Sequence, residues 1–414
     1  MRLRLAFLSG FLCFAVQGLG ETSELTDTSS APGPDAVENL LGDRRQERPG
    51  FFESDWLEGW KVWKKGLEDQ TGLSFGGDYN SLLFGATDSL GDDSAASGVA
   101  RLYGKWNLVG RDTEDTGGLI FKVEHRHRYS PVAPSALGPE LGYLGAVQTT
   151  FNEDSFRTTN LYWRQSFAAQ RFVVYAGFLD STDFLDVYPM ASPWTGFNNL
   201  VFATGSGTIG GLPDGALGIM GAYWLTDSLY AITSITDANA RASDISDGFD
   251  TFFNEFETLK TFELYHAPKR EKALFDKFNL AVWQIDSAST KGAPDGWGLS
   301  SSASITVDDE WLFFLRGGWA EDGGSLYDRS ISVGVGHQPQ PSKSLLGLGL
   351  NWGRPNPDTF PGDPGTQFTS ELFYRWQATP NFQLTPSVQL LVDPALNPQE
   401  DVVAVFGLRG RFAF

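Results

Sequence analysis

The chain has 414 residues, 47 of them Gly, with aromatics at 14% and a formal net charge of −20. That charge excludes a nucleic-acid binder, because neutralising phosphates takes clustered Lys and Arg. Mean hydropathy is −0.21, and beyond the N-terminus no uncharged apolar run approaches the roughly 20 residues a membrane-spanning helix requires.

Residues 1–20 read as an export signal: Arg2 and Arg4 open it, 5–16 are its apolar core, and Gly18-Leu19-Gly20 offers a small-residue cleavage site. Cleavage near Gly20 would remove Cys13, leaving no thiol, disulfide or cysteine metal site. Gly10-Phe11-Leu12 is a poor lipidation box, so a lipoprotein reading is disfavoured. The stretch 21–49 is polar and too poor in apolar residues to offset its chain entropy, which predicts a disordered periplasmic lead-in. In 50–70, Trp56, Trp60, Trp63 and Leu67 recur at helical spacing, with Ser54 and Asp55 as candidate N-caps. A short amphipathic helix is predicted there. It would plug a pore, touch another envelope component or, as the simplest expectation, pack on the remainder of its own chain.

From Gly72 onward the chain holds sixteen strand candidates: 72–86, 97–110, 117–129, 156–169, 171–178, 215–226, 228–236, 257–267, 277–287, 295–306, 310–319, 329–338, 343–352, 367–378, 381–391 and 402–414. Alternate side chains of a strand face opposite ways. In the last one Phe406, Leu408, Phe412 and Phe414 share a face, and Arg409 and Arg411 point to the other. In 343–352 Leu346, Leu348, Leu350 and Trp352 oppose Gly347, Gly349 and Asn351; in 297–307 Trp297, Leu299 and Ile305 oppose Ser300, Ser302, Ser304 and Thr306. Connections after odd strands run about 7 to 36 residues and those after even strands about 1 to 9, the asymmetry of long outer loops and short periplasmic turns. The eighth connection breaks the pattern by outgrowing the ninth. The fold class is therefore all-β: a transmembrane antiparallel β-barrel of about 16 strands over 71–414, in the bacterial outer membrane, with a short amphipathic helix before it.

A barrel of that size holds water rather than a packed core. Its inward faces carry Arg101, Tyr103, Lys105 and Asn107 on the second strand and Lys122, Glu124, Arg126 and Arg128 on the third. Glu371 and Arg375 point inward from the fourteenth strand, Arg409 and Arg411 from the last. Most of these charges should pair across strands, and a minority should line a constriction. The longest connection, 179–214, is the candidate for a loop folded into the pore, and it brings Asp180, Asp183, Asp186, Tyr188, Trp194, Asn198 and Asn199. Carboxylates, amides and aromatic rings match sugar hydroxyls and the C–H face of a pyranose; many long extracellular loops have the same composition. His125 and His127 share a strand face with Leu119, Phe121 and Val123, which reads as an interfacial pair rather than a metal site. No nucleophile elbow, phosphate loop or zinc helix occurs, so neither an enzyme nor a cofactor is expected.

Four stretches resemble the carbohydrate-selective porin family of OprB type. QLTPSVQLLVDPALNP (383–398) together with VFGLRGRFAF (405–414) is similar to its closing pair of strands, through Pro386, Gln389, Pro394, Asn397, Pro398, Gly407, Leu408, Arg409 and Phe414. GVGHQPQPSKSLLGLGLNWG (334–353) resembles its turn and glycine-leucine strand, and LFFLRGGWAEDGG (312–324) its aromatic-Arg-Gly strand, with Arg316 at the arginine position. VVYAGFLDSTDF (173–184) is similar to the strand leading into its inner loop. The match is loose before about 170, and no basic cluster marks an anion selector. The resemblance implies a passive pore for glucose-like monosaccharides, working as a monomer or a homotrimer, surrounded by outer-membrane lipid. Phe414 is the expected signal for the barrel-assembly machinery. The alternatives are a general or cation-preferring diffusion porin, favoured by acidic loop residues such as Asp92, Asp93, Glu153, Asp154, Asp244, Asp247 and Asp250, and a structural or adhesive barrel.

Overall fold

The computed structural model describes residues 32–45, 50–213, 215–340, 342–362 and 364–414. The export signal expected over 1–20, with its cleavage near Gly20, lies outside the described residues. The strands are β1 (Leu73–Ala86), β2 (Ser94–Val109), β3 (Gly117–Arg128), β4 (Ser155–Phe167), β5 (Phe172–Leu179), β6 (Ala216–Trp224), β7 (Leu229–Asp237) and β8 (Thr258–His266). They continue as β9 (Lys277–Ile285), β10 (Gly296–Val307), β11 (Trp311–Asp322), β12 (Tyr327–His337), β13 (Leu345–Pro355), β14 (Gln367–Gln377), β15 (Phe382–Val392) and β16 (Val402–Ala413). Each pairs with the next, and β1 closes on β16 through a register that sets Asp78 beside Ala413 and Leu82 beside Arg409. Closure matters because lipid offers no hydrogen bonds, so a strand edge left open in it would strand a row of backbone groups. Phe414 completes the seam: its N–H donates to the Gly77 carbonyl at 2.9 Å and its own carbonyl accepts from Gly77 N–H at 3.1 Å.

The alternation separates lipid from lumen. On β16 Phe406 and Leu408 point outward, while Arg409 and Arg411 are buried inside. On β13 the leucines Leu346, Leu348 and Leu350 face out and the glycines face in. The long connections gather at one end, with 323–326 as the short exception where β11 extends further than its sequence pattern suggested. At the other end the β10–β11 turn is tight, Asp308 and Asp309 both at φ +54°, the left-handed conformation that twisted hairpins favour. The long eighth connection, 267–276, has a physical reason. It tucks under the lumen, burying Ala267 and Ala273 and setting the Arg270 guanidinium 4.9 Å from the Trp224 ring.

Two helices precede the barrel: α1 (Val37–Arg45) and α2 (Glu58–Thr71). The first corrects the expectation that 21–49 is disordered throughout. Residues 32–45 enter the lumen, and Val37, Leu40 and Leu41 are buried against Tyr103, Tyr162 and Tyr175 of the barrel wall. A segment too polar to make a core of its own borrows one from inward-facing tyrosines. The second helix begins at Glu58, with Leu57 as its N-cap and no side-chain capping bond, so Ser54 and Asp55 do not cap it as expected. Its C-terminus is stopped by Gly72 at φ +77°, where a Cβ would meet the Asn107 carbonyl.

Candidate functional site

The loop between β5 and β6, L3 (180–215), crosses the lumen and is fastened to the opposite wall. Glu371 on β14 accepts the backbone N–H groups of Asn198 at 2.8 Å and Asn199 at 2.9 Å, and the Asn198 side-chain amide at 2.9 Å. Arg409 on β16 donates to the carbonyls of Pro193 and Gly196 and to Asn198 Oδ1. Arg375 donates to the Thr195 carbonyl at 3.0 Å. Further along, Arg316 on β11 donates to Asp186 Oδ2 at 2.6 Å and to the carbonyls of Asp186, Phe202 and Ala203. Its guanidinium lies 4.3 Å from the Tyr188 ring. Burial pushes the Tyr188 hydroxyl up, against the pull of Arg316, so it stays a neutral donor to the Phe202 carbonyl at 2.8 Å. The inward glycines of β13 make room for this seat: a Cβ on Gly349 would lie 2.6 Å from Phe202.

Across the lumen, the β1–β3 wall carries the second half of the site. Asp78 on β1 takes Arg101 in a two-pronged grip, Nε at 2.7 Å and Nη2 at 2.6 Å, and Arg411 at 2.8 Å. Such paired, charge-assisted bonds fix a guanidinium plane. That plane stacks 4.2 Å from the Trp194 ring, joining wall to loop. Lys122 on β3 reaches Asp183 of L3 at 2.8 Å and Asp180 at 3.9 Å, and Asn160 of β4 also donates to Asp183. Glu124 and Arg126 pair with each other at 2.5 Å higher on β3.

Two more segments narrow the passage. The second outer loop, L2 (129–154), dips in: Tyr143 bonds Thr369 at 2.9 Å, and Gln148 donates to Asn198 Oδ1 at 3.0 Å. From the periplasmic side, the segment 32–45 reaches the same place. Gly33 N–H donates to the Asp183 carbonyl at 2.6 Å, Ser192 donates to Asp35 Oδ1 at 2.7 Å, and Arg101 approaches Asp35 at 4.0 Å. Glu38 lies 3.5 Å from Arg164 on β4. Burial pushes the Asp35 carboxyl up, opposed by Arg101 and Lys122 and by the Ser192 hydroxyl.

This geometry, a closed sixteen-stranded wall with an inward-folded loop tied to arginines and acids, is that of a channel. The carbohydrate-selective porin family, OprB, matches residues 121–414. The chain belongs to that family. Its barrel is similar to the high-pH structure of Pseudomonas putida OprB, with a TM-score of 0.69 at 16% identity, covering 87% of this chain and 99% of that one. The low-pH structure of the same protein gives 0.51 at 14% identity with the same coverage. A Rhodopseudomonas blastica porin mutant gives 0.48 at 13% identity, covering 83% of this chain and all of that one. No match was found among curated protein sequences.

In this porin the expected lumen residues mostly converge. Arg101, Asp180, Asp183, Trp194, Asn198, Glu371, Arg375, Arg409 and Arg411 form one ring of contacts linking L3 to β1–β3 and β14–β16. Asp186 belongs to a separate node with Arg316, Glu263 and Asn279. Glu124 stands directly opposite Arg101 across the β2–β3 ladder, at the level of the ring, and pairs with Arg126, while Lys105 projects inward lower on β2, half-buried. The carboxylates of L3 and Glu371 bond protein donors, so their first role is to hold the loop. Asp78, Glu263, Ser192 and Asp35 were not anticipated. Asp78 and Glu263 follow from strand alternation, as Asp78-Asn80-Leu82 and Thr261-Glu263-Tyr265 point inward. Asp35 carries no sequence signal. His125 and His127 lie outside, ring centroids 5.3 Å apart, with His127 Nε2 3.0 Å from the Tyr79 hydroxyl.

Proposed function

We propose that this porin gives passive, sugar-preferring diffusion of glucose-like monosaccharides across the bacterial outer membrane. The observation that carries the reading is membership of a carbohydrate-selective family together with an inner loop that sets Trp194 against Arg101, Asp183 against Lys122 and Asn198 against Arg409. In the seated state the Trp194 ring is almost fully buried between Arg101 and Phe151 of L2. Once the passage opens, that ring and the fixed guanidinium would give a pyranose a stacking surface and planar hydrogen-bonding groups. Binding at such a place is weak by design, since a tight site would trap its cargo. In the same reading, 1–20 is an export signal removed near Gly20, and Phe414 is the terminal residue recognised during barrel assembly. The segment 32–45 must shift for bulk flow.

The test is single-channel conductance in a planar bilayer, on the mature protein and on a variant lacking residues 32–45, titrated with glucose and with a non-sugar solute of similar size. Concentration-dependent block by glucose alone supports the sugar reading. Current indifferent to sugars and scaling with cation identity would replace it with a cation-preferring porin, a reading favoured by the exposed outer-loop acids Asp92, Asp93, Asp154, Asp244 and Asp250.

A further inference from the structure

We propose that α2 is a membrane-surface anchor, lying in the headgroup layer of the periplasmic leaflet with its aromatic side shared between the barrel's outer wall and lipid. The helix does not plug the pore; it sits outside it. Trp60 and Trp63 stack on each other at 4.9 Å, and both meet Phe75 edge-on, at 5.9 and 6.1 Å, on the outward face of β1. Trp56 stacks 5.7 Å from Phe412, an outward residue of β16. The lead into the helix is bound to the same rim, Phe51 and Phe52 N–H donating to the carbonyls of Gln377 and Ala378. At its other end Arg111 donates to the Asp69 carbonyl at 2.9 Å and to those of Glu68 and Gln70. Cationic donors at a helix C-terminus answer both its unpaired carbonyls and its dipole.

Those contacts leave much of the apolar surface unused. No residue of α2 is buried; Trp56 is 66% exposed, Trp63 52% and Phe51 73%. The uncovered rings are continuous with the outward aromatics at the periplasmic end of the barrel, Trp106, Phe382 and Phe414. That rim is where a β-barrel carries its interfacial girdle, and Trp prefers the headgroup level. An amphipathic helix lying in this plane buries its apolar side in the headgroup boundary. The occupant of the uncovered face is therefore lipid, by continuity with a surface that already faces it.

Charge refines the partner. Lys61, Lys64 and Lys65 are balanced by Glu58, Glu68 and Asp69 within the helix, with Lys61–Glu58 at 3.4 Å and Lys65–Asp69 at 3.8 Å. A basic helix would seek anionic headgroups; this one has no net charge to do so. Its retention rests on aromatic partitioning and is independent of anionic lipid.

The experiment places a nitroxide label at single cysteines replacing Trp63, Trp56 or Lys65 in a Cys13→Ser background, with the porin reconstituted in phosphatidylcholine vesicles with and without phosphatidylglycerol. Heat-modifiable gel migration checks that each variant has folded. Labels at 63 and 56 are expected to collide more with oxygen than with a water-soluble nickel chelate, the label at 65 the reverse, and neither to change with phosphatidylglycerol. Water-like accessibility at 63 and 56 overturns the anchor. Shielding from both reagents there overturns it in favour of a protein partner, either a second copy or another envelope component. A requirement for phosphatidylglycerol overturns the charge-neutral mode. Sugar conduction plays no part in these readouts, so the anchor stands or falls apart from the proposed function.

Discussion

Arg316 on β11 grips Asp186 of L3 twice, through a carboxylate oxygen at 2.6 Å and the backbone carbonyl at 2.8 Å. Both side chains are almost fully buried. Asp186 itself sits at φ +47°, a left-handed backbone conformation that aspartate adopts more readily than most side-chain residues. The Arg316→Met variant keeps volume and removes the cation, leaving the Asp186 carboxyl with the Asn279 amide and the Gly205 N–H as its donors. Breaking a buried pair by deleting one partner costs about 3–5 kcal/mol. Because the β-ladder does not depend on this pair, the loss should fall on L3. The barrel is expected to retain its heat-modifiable migration while single-channel traces become noisier and larger. Quiet, unaltered channels would show that L3 is held by Glu371 and Arg409 without it.

The lumen segment makes a second expectation. Residues 32–45 fasten to L3 through Gly33 and Asp35 and to β4 through Glu38. Removing them while leaving α2 in place should raise ion conductance several-fold, since side chains that fill the passage leave with them. Removing 50–70 instead should leave conductance nearly unchanged, because α2 packs on outward residues. Equal conductance before and after deleting 32–45 would mean that the segment leaves the lumen in the open protein.

Much of this was legible in advance, for a physical reason. A strand that separates lipid from water must alternate, so Arg409 and Arg411 against Phe406 and Leu408 define inside and outside without any tertiary information. The inner loop was legible from its length and its acids. What each acid does was not, because Glu371 meets Asn198 across about 170 positions of chain, and only barrel closure brings them together. The placement of 32–45 was hidden for another reason: its apolar residues are too few to announce a helix, and its partners Tyr103, Tyr162 and Ser192 come from three separate segments. The exterior position of α2 was open too, as its Trp spacing fits a wall on either side.

Acidity should act on the seated segment through Asp35. Burial raises its carboxyl above the ordinary value of 3.8, and the cations Arg101, Lys122 and Arg411 together with the Ser192 hydroxyl only partly offset this. In the withdrawn segment the carboxyl is in water and titrates normally. The seated form therefore binds its proton more tightly, and seating is favoured fully below the ordinary value. It weakens as pH rises through the raised one. Conductance is expected to be lowest in acid and to rise with a midpoint above 3.8. Asp35→Asn should abolish this rise and hold the low conductance to higher pH. A pH profile identical in Asp35→Asn and the parent would assign the titration elsewhere.

Trp194 tests the sugar reading most directly. One face of its ring lies against the Arg101 guanidinium at 4.2 Å, and Phe151 stands 5.2 Å away on L2. In Trp194→Ala the guanidinium stays in place through its two bonds to Asp78, so the wall keeps its charge while the loop loses its stacking surface. A stacking contact of this size contributes roughly 0.5 to 1.5 kcal/mol. Glucose block should therefore weaken by up to about 10-fold in apparent affinity, at about 1.4 kcal/mol per decade, while ion conductance rises because a bulky side chain has gone. The two readouts move in opposite senses, which separates recognition from simple widening. Lys105→Ala, lower on β2 and outside the ring, should leave the apparent sugar affinity within about twofold, a change of under roughly 0.5 kcal/mol. Equal loss of block in both variants would mean that sugars respond to lumen charge in general, and the stacked ring would no longer be the recognition element.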